Sequence, residues 1–311
     1  MPFYVFKDRD AFLAAGGIPG SSGSYCRDKL LTHFRHQDPK ASWRTIQHEA
    51  FHQFADQAIG TRLPVWLSEG LAEYFEEGLW TGDGLVTGIV PLRRLGRLRR
   101  AMADKDLVGF DEMMGLSRKA WNGAACLGRY DQAWSMVHFM IHGHEGFYQK
   151  RFSAFVNDVA SGRPPKAAFR NRFGGNAELF RKRYTSWWLS LGDDPTSERY
   201  LLATVQTLTS FLARACSQSQ QFSSARAFLA AAKEGKLRIG SAQWLPNSLL
   251  ETAMARAREA GKWSLATIEH RPALVLHTSK GKTFVGRFRL QGQQVTNVKV
   301  TVSGDGPDQG P

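Results

Sequence analysis

A mostly helical α+β fold is predicted by three features of the sequence. Apolar residues recur at helical spacing through most of the 311 residues, strand-like alternation is confined to the two ends, and glycine and proline punctuate the stretches between. The expected arrangement is a small N-terminal sheet with a helical lobe over residues 1–195, a helical segment over 196–270 and a small β segment over 271–302. The tail, 303–311, is rich in glycine and proline and is expected to be disordered.

Taken in order, FYVF at 3–6 reads as a strand, RDAFLAA as a short helix closed by Gly16 and Gly17, and IPGSSGSY as a loop. KLLTHFR at 29–35 reads as the next strand, and HQDPK as a turn in which Pro39 ends what precedes it. A helix is expected from Ser42, as N-cap, to about Ala58, with Gly60 as its stop and Trp43, Ile46, Ala50, Phe51 and Phe54 as apolar positions. Pro64 suits the first turn of a second helix, VWLSEGLAEYFEE, that runs to Gly78. TGDGLVTG is a glycine-rich turn region. LRRLGRLRR belongs to a basic helix at 91–103, with Leu92, Leu95 and Leu98 as a buried stripe and the arginines in water. Helices follow at 109–116, 130–143, 147–160, 164–173 and 176–190, the second of them strongly apolar, and LGDDP at 191–195 looks like a boundary. Beyond it come helices at 197–216, 222–234 and 247–260, then two or three strands with glycine turns at 281 and 292.

The bulk properties narrow the function classes. A formal charge of +13 favours anionic partners, but the leucine spacing places the densest basic run on an ordinary amphipathic helix. No nucleic-acid module accompanies the charge, so no specific nucleic-acid partner is expected. No stretch approaches the roughly 18 apolar residues of a membrane span, and MPFYVFKDRD lacks the order of a signal peptide. As written the chain is expected in the cytoplasm. The abrupt strand-like start equally suits a truncated N-terminus, which leaves the first sheet incomplete and an export signal lost. Cys26, Cys126 and Cys216 are odd in number and far apart, which suggests buried free thiols rather than disulfides.

The stretch that carries chemistry is TIQHEAFHQF, residues 45–54. Residues four apart share one face of a helix, so His48 and His52 can present two imidazole nitrogens to one zinc ion. Glu49 is displaced around the helix and reaches a metal-activated water as general base without being a ligand. A structural helix with surface histidines would carry the same ten residues. Two ligands do not hold a catalytic zinc, which takes three from the protein. On the second helix Glu69 is the expected third ligand, and Glu73, one turn later, is suited to accept from the far nitrogen of a ligating histidine. The alternative, two solvated carboxylates, sits poorly with Trp66, Leu67, Leu71, Ala72, Tyr74 and Phe75 around them, since buried glutamates need partners.

HEAFH followed by WLSEGLAEYFE resembles the gluzincin metallopeptidases, and LPVWLSEGLAEYFE is similar to the peptidase MA-like bacterial proteins of the DUF1570 group. The resemblance covers residues 25–145 and is strongest over 45–77. It implies a zincin-like catalytic domain with one zinc ion on His48, His52 and Glu69, and Glu49 as general base. It also implies a downstream tyrosine that steadies the oxyanion, which RYDQAWSMVHFM supplies as Tyr130; a core tyrosine would look the same. The Gly-x-Met-Glu-Asn stretch with which zinc aminopeptidases hold a free amino terminus does not precede Thr45, so endopeptidase action on an extended peptide is expected. KLLTHFR is then the candidate edge strand for that peptide. A metal-dependent hydrolase of a non-peptide substrate and a catalytically inactive, metal-retaining binding protein remain alternatives.

The other histidines draw plainer expectations. His142 and His144 suit a helix end, His138 the core, and His33 and His36 a turn flanking the cleft; His270 and His277 are assigned nothing. The oligomeric state is left open by the sequence.

Overall fold

The computed structural model describes residues 2–26, 29–60, 63–121 and 126–304. The expectations for the Cys126 side chain and for tail residues 305–311 fall outside that description. Among the described residues, thirteen α-helices and nine strands make an α+β, mostly helical fold. The chain divides into two compact units, Met1–Gly78 with Gly88–Pro195, and Leu79–Thr87 with Thr196–Pro311. Among the described residues no helix is long and apolar enough to cross a membrane.

The first unit opens with β1 (Phe3–Phe6), α1 (Arg9–Ala14), β2 (Gly23–Cys26) and β3 (Lys29–His33). β3 is the centre of the sheet, parallel to β1 and antiparallel to β2. This corrects the expectation that Lys29–Arg35 is an edge strand. Leu30, Leu31 and Thr32 are consecutive and all buried, so both faces of β3 are covered and both of its flanks are paired. The outer strand beside the helices is β2.

α2 (Pro39–Ala58) begins three residues ahead of the expected start. Asp38 caps it by accepting from the Ala41 N–H at 3.1 Å, and Pro39 takes the first turn, where its missing N–H has no helical partner to lose. Ser42 is not the cap; its Oγ accepts from the Arg35 N–H at 2.7 Å. At the other end the N–H of Gly60 (φ 92°) bonds the Ala55 carbonyl and stops the helix as expected. Phe51 is buried, but Trp43 and Phe54 are 60% and 58% exposed. The inward face of α2 is taken up instead by polar side chains, described below.

α3 (Val65–Glu76) follows Pro64 and is buried almost all round. The turn region after it forms a hairpin of β4 (Leu79–Trp80) and β5 (Leu85–Val86) in the second unit. The first unit resumes with α4 (Leu92–Ala103), α5 (Phe110–Gly115), α6 (Arg118–Trp121), α7 (Cys126–Gly146), α8 (Gln149–Ala160), α9 (Pro165–Phe173) and α10 (Ala177–Ser190). Their shared core is aromatic, with Trp66, Trp121, Trp134, Phe139, Tyr184 and Trp188 fully buried. α3 lies so close to α7 that a Cβ on Gly70 would stand 2.7 Å from the Ala133 carbonyl oxygen. α7 departs from helical geometry at Gly143, His144 and Glu145.

The second unit adds α11 (Ser197–Ser217), α12 (Ala225–Lys233), a 3₁₀ turn at Ser241–Gln243 and α13 (Asn247–Ala260). β6 (Lys262–Ile268), β7 (Arg271–His277), β8 (Thr283–Gln291) and β9 (Gln294–Ser303) then form a four-stranded antiparallel sheet in sequence order. β6 lies where a helical segment was expected to continue to residue 270. KWSLATI is a strand because it pairs along its whole length with β7. Arg214 of α11 holds Asp83 of the hairpin through two bonds, 2.7 and 3.0 Å.

Candidate metal centre

α2 and α3 pack antiparallel, as the order of their contacts shows. His52 lies against Ser68 and Glu69, His48 against Glu73 and Glu76, Gln47 against the carbonyls of Phe75 and Gly78, and Arg44 against Glu76 and Glu77. The i,i+4 spacing puts both imidazoles on the face of α2 that meets α3. Glu69 and Glu73 come from the nearly all-buried α3 and are themselves buried.

Three donor atoms converge. His48 Nε2 and His52 Nε2 are 3.2 Å apart, and Glu69 Oε2 is 3.4 Å from the first and 3.5 Å from the second. A tetrahedral ion with bonds of roughly 2.0–2.2 Å spaces its donors about 3.3–3.6 Å apart, so this triangle fits zinc. The far sides of the two imidazoles are held as well. His48 Nδ1 lies 3.1 Å from Glu76 Oε2, and His52 Nδ1 lies 3.2 Å from Ser68 Oγ, contacts that turn both Nε2 atoms toward Glu69. Arg118 donates to Glu69 Oε1 at 2.5 Å, so one carboxylate oxygen is bound and the other faces the histidines.

Glu73 does not hold the position expected of it. Its Oε1 is 3.7 Å from His48 Nδ1, farther than Glu76, while its Oε2 is clamped by Arg94 at 2.5 Å. Arg94 also reaches Asp131 at 3.4 Å, and Arg97 forms a two-bond pair with Asp131 at 2.6 and 2.9 Å. The arginines of the basic helix are therefore not all in water: Leu95 and Leu98 are buried as expected, but Leu92 is exposed and Arg94 points inward. A buried glutamate draws the nearest guanidinium toward it.

Electrostatics follow this layout. Burial would lower the pKa of His48, but its bonds to Glu69 and Glu76 outweigh that and hold it well above the ordinary imidazole value. Burial works against the charge of Glu69, yet bonds from His48 and His52 keep it well below the carboxylate range. Glu49 is raised, first by burial, with the two histidines opposing. A raised carboxyl next to imidazoles suits a group that takes and returns a proton.

Glu49, His52, Glu69, Arg118 and Tyr130 line one cavity of about 960 Å³, together with Ser24 and Tyr25 of β2. β2 comes close because Gly23 has no side chain: a Cβ there would stand 2.7 Å from Thr45 Cγ2 and 2.9 Å from Glu49 Cγ. The Tyr25 hydroxyl donates to Asp56 at 2.8 Å, anchoring β2 to α2. The Tyr130 ring stacks edge-on with Trp121, and its hydroxyl is pushed up to about 12, first by burial and then by the charge of Glu69.

The remaining histidines are elsewhere. His142 pairs with the Tyr74 hydroxyl at 2.7 Å, His138 is buried against Trp134 and Trp188, His36 contacts the Lys7 carbonyl, and neither His33 nor His36 lines the cavity. Sequence reasoning passed over Glu76, Ser68, Arg94 and Arg118. Glu76 had a signal, three residues beyond Glu73 on one helix; Arg118 had none, because 49 residues of chain separate it from Glu69.

Residues 42–165 match the model of a family described as "Protein of unknown function (DUF1570)". The matched stretch contains His48, Glu49, His52, Glu69, Glu76, Arg94, Arg118 and Tyr130, while β2 and the four-stranded sheet lie outside it. No curated protein and no solved structure matches the chain.

Proposed function

We propose that the first unit is a zincin-like catalytic domain and that the chain is a zinc-dependent peptide hydrolase of endopeptidase type. The observation that carries this reading is the convergence of His48 Nε2, His52 Nε2 and Glu69 Oε2 on one point in the wall of a cavity that also holds Glu49. Zinc held by these three residues supplies a Lewis acid that lowers the pKa of water and polarises a carbonyl.

The protein groups divide the remaining work. Glu49 accepts a proton from the attacking water and returns it to the leaving amine. Tyr130, protonated at neutral pH, donates a hydrogen bond to the oxyanion that develops on the scissile carbonyl. β2, the outer strand lining the cavity, offers main-chain groups to an extended peptide, taking the role first assigned to Lys29–Arg35.

The test is digestion of a peptide library by wild type and by Glu49→Gln, with zinc content measured on both. Cleavage by wild type that a chelator abolishes is expected. In the variant, zinc should stay at wild-type stoichiometry while cleavage falls by about 10²-fold or more. Full cleavage by Glu49→Gln, or chelator-insensitive cleavage by wild type, overturns the reading.

A further inference from the structure

A second cavity, of about 420 Å³, opens on the sheet of the second unit, and three of the residues around it are arginines: Arg271 of β7 and Arg287 and Arg289 of β8. None of the three has a carboxylate partner among the described residues, and Arg271 Nη1 is buried with no protein atom accepting from it. Arg287 and Arg289, two apart on one strand, project to the same face. Directly across from Arg287 on β9 is Lys299, a like-charge cross-strand pair that destabilises a sheet unless something neutralises it. Among the described residues the only acidic one in the wall is Glu269, one carboxylate against three guanidiniums.

In the first unit Arg94 is matched by Glu73, Arg97 by Asp131 and Arg118 by Glu69. In the second, Arg214 is matched by Asp83. Arg99 and Arg129 of the first unit have no carboxylate either, but they donate to backbone carbonyls, those of Trp188 and Leu191 and those of Ala120 and Trp121, whereas the three arginines here have neither kind of partner among the described residues. Their charges surround one concavity instead of following a groove, which selects a compact ligand over a polymer backbone. Its remaining lining, including Thr296, Pro272 and Leu290, supplies a hydroxyl and apolar surface. Guanidinium forks bind phosphate oxygens in pairs of hydrogen bonds, and a monocarboxylate would leave most of the local charge unmatched.

We infer that this cavity is a binding site for a diphosphate group, either free or carried by a small molecule, held by Arg271, Arg287 and Arg289. The site is in the unit that does not hold the zinc ligands and is independent of the proposed hydrolysis.

The experiment is isothermal titration calorimetry on the full chain, passed over a chelating resin so that diphosphate does not bind metal. Inorganic pyrophosphate should bind at one site per chain, and the Arg271→Gln/Arg289→Gln variant should bind at least about tenfold more weakly. Adenosine diphosphate binding more tightly than pyrophosphate assigns the site to a phosphorylated small molecule; equal or weaker binding assigns it to the free anion. Because the double variant removes a partly buried side chain, wild type is also treated with phenylglyoxal, and pyrophosphate should protect Arg271 and Arg289 from modification. Absence of pyrophosphate binding to wild type, undiminished binding to a folded variant, or lack of protection overturns the inference. So does a single-stranded oligonucleotide that binds a hundredfold more tightly than pyrophosphate through the same arginines, since that describes a nucleic-acid surface.

Discussion

Around His48 the second carboxylate shell has a definite order, and substitutions separate its members. Glu76 is the nearer partner of His48 Nδ1, at 3.1 Å, whereas Glu73 is committed to Arg94. Removing a hydrogen-bond partner of a ligating histidine typically lowers metal affinity about 10–100-fold. Glu76→Gln should therefore weaken zinc binding by that factor and Glu73→Gln by less, as read by competition with a chromophoric chelator. Equal losses would return the histidine-orienting role to Glu73. Glu69→Ala should abolish stoichiometric zinc, since two imidazoles remain; unchanged zinc content would remove Glu69 from the ligand set.

Helix packing holds these residues in place, and two contacts on α3 can be tested singly. Gly70 admits the backbone of α7, and a methyl group there has to displace the Ala133 carbonyl. Gly70→Ala should destabilise the first unit by about 1–3 kcal/mol in urea titration; a wild-type midpoint would show that α3 and α7 can separate freely. Arg94 from α4 joins Glu73 of α3 to Asp131 of α7 and is itself only 11% exposed. Arg94→Ala leaves a buried carboxylate unpaired and should cost about 3–5 kcal/mol, more than Gly70→Ala. A loss below about 1 kcal/mol would mean that the pair is solvated.

Across the whole molecule, the two units have separate hydrophobic cores, one built on Trp66, Trp134 and Trp188 and the other on Phe211, Phe228 and Leu274. His48, His52 and Glu69, the proposed zinc ligands, all belong to the first. A ligand that binds only the native state stabilises it by RT ln(1 + [L]/Kd), about 4 kcal/mol at a thousandfold excess over Kd. Stripping the metal should lower the melting transition of the first unit and leave that of the second unchanged in differential scanning calorimetry. A common shift, or none, would contradict either the separateness of the units or the binding of metal.

Much of this was legible in the chain because it depends on neighbours a few residues apart. The pairing of His48 with His52, the closeness of Glu49, the stop at Gly60 and the run of helices after Gly88 follow from helical period and from turn chemistry. The same spacing placed Glu69 on a helix too apolar to leave it in water. The rest was decided where distant segments meet. β3 is central and β2 outer only because β1 pairs on the far side of β3, a long-range choice that no local alternation reveals. Arg94 turns inward because a buried Glu73 stands opposite, and Arg118 reaches Glu69 across 49 residues of chain. Helical and strand periods say which residues share a face; which faces are brought together, and hence which charges are matched and which three arginines line one cavity, is settled only by packing.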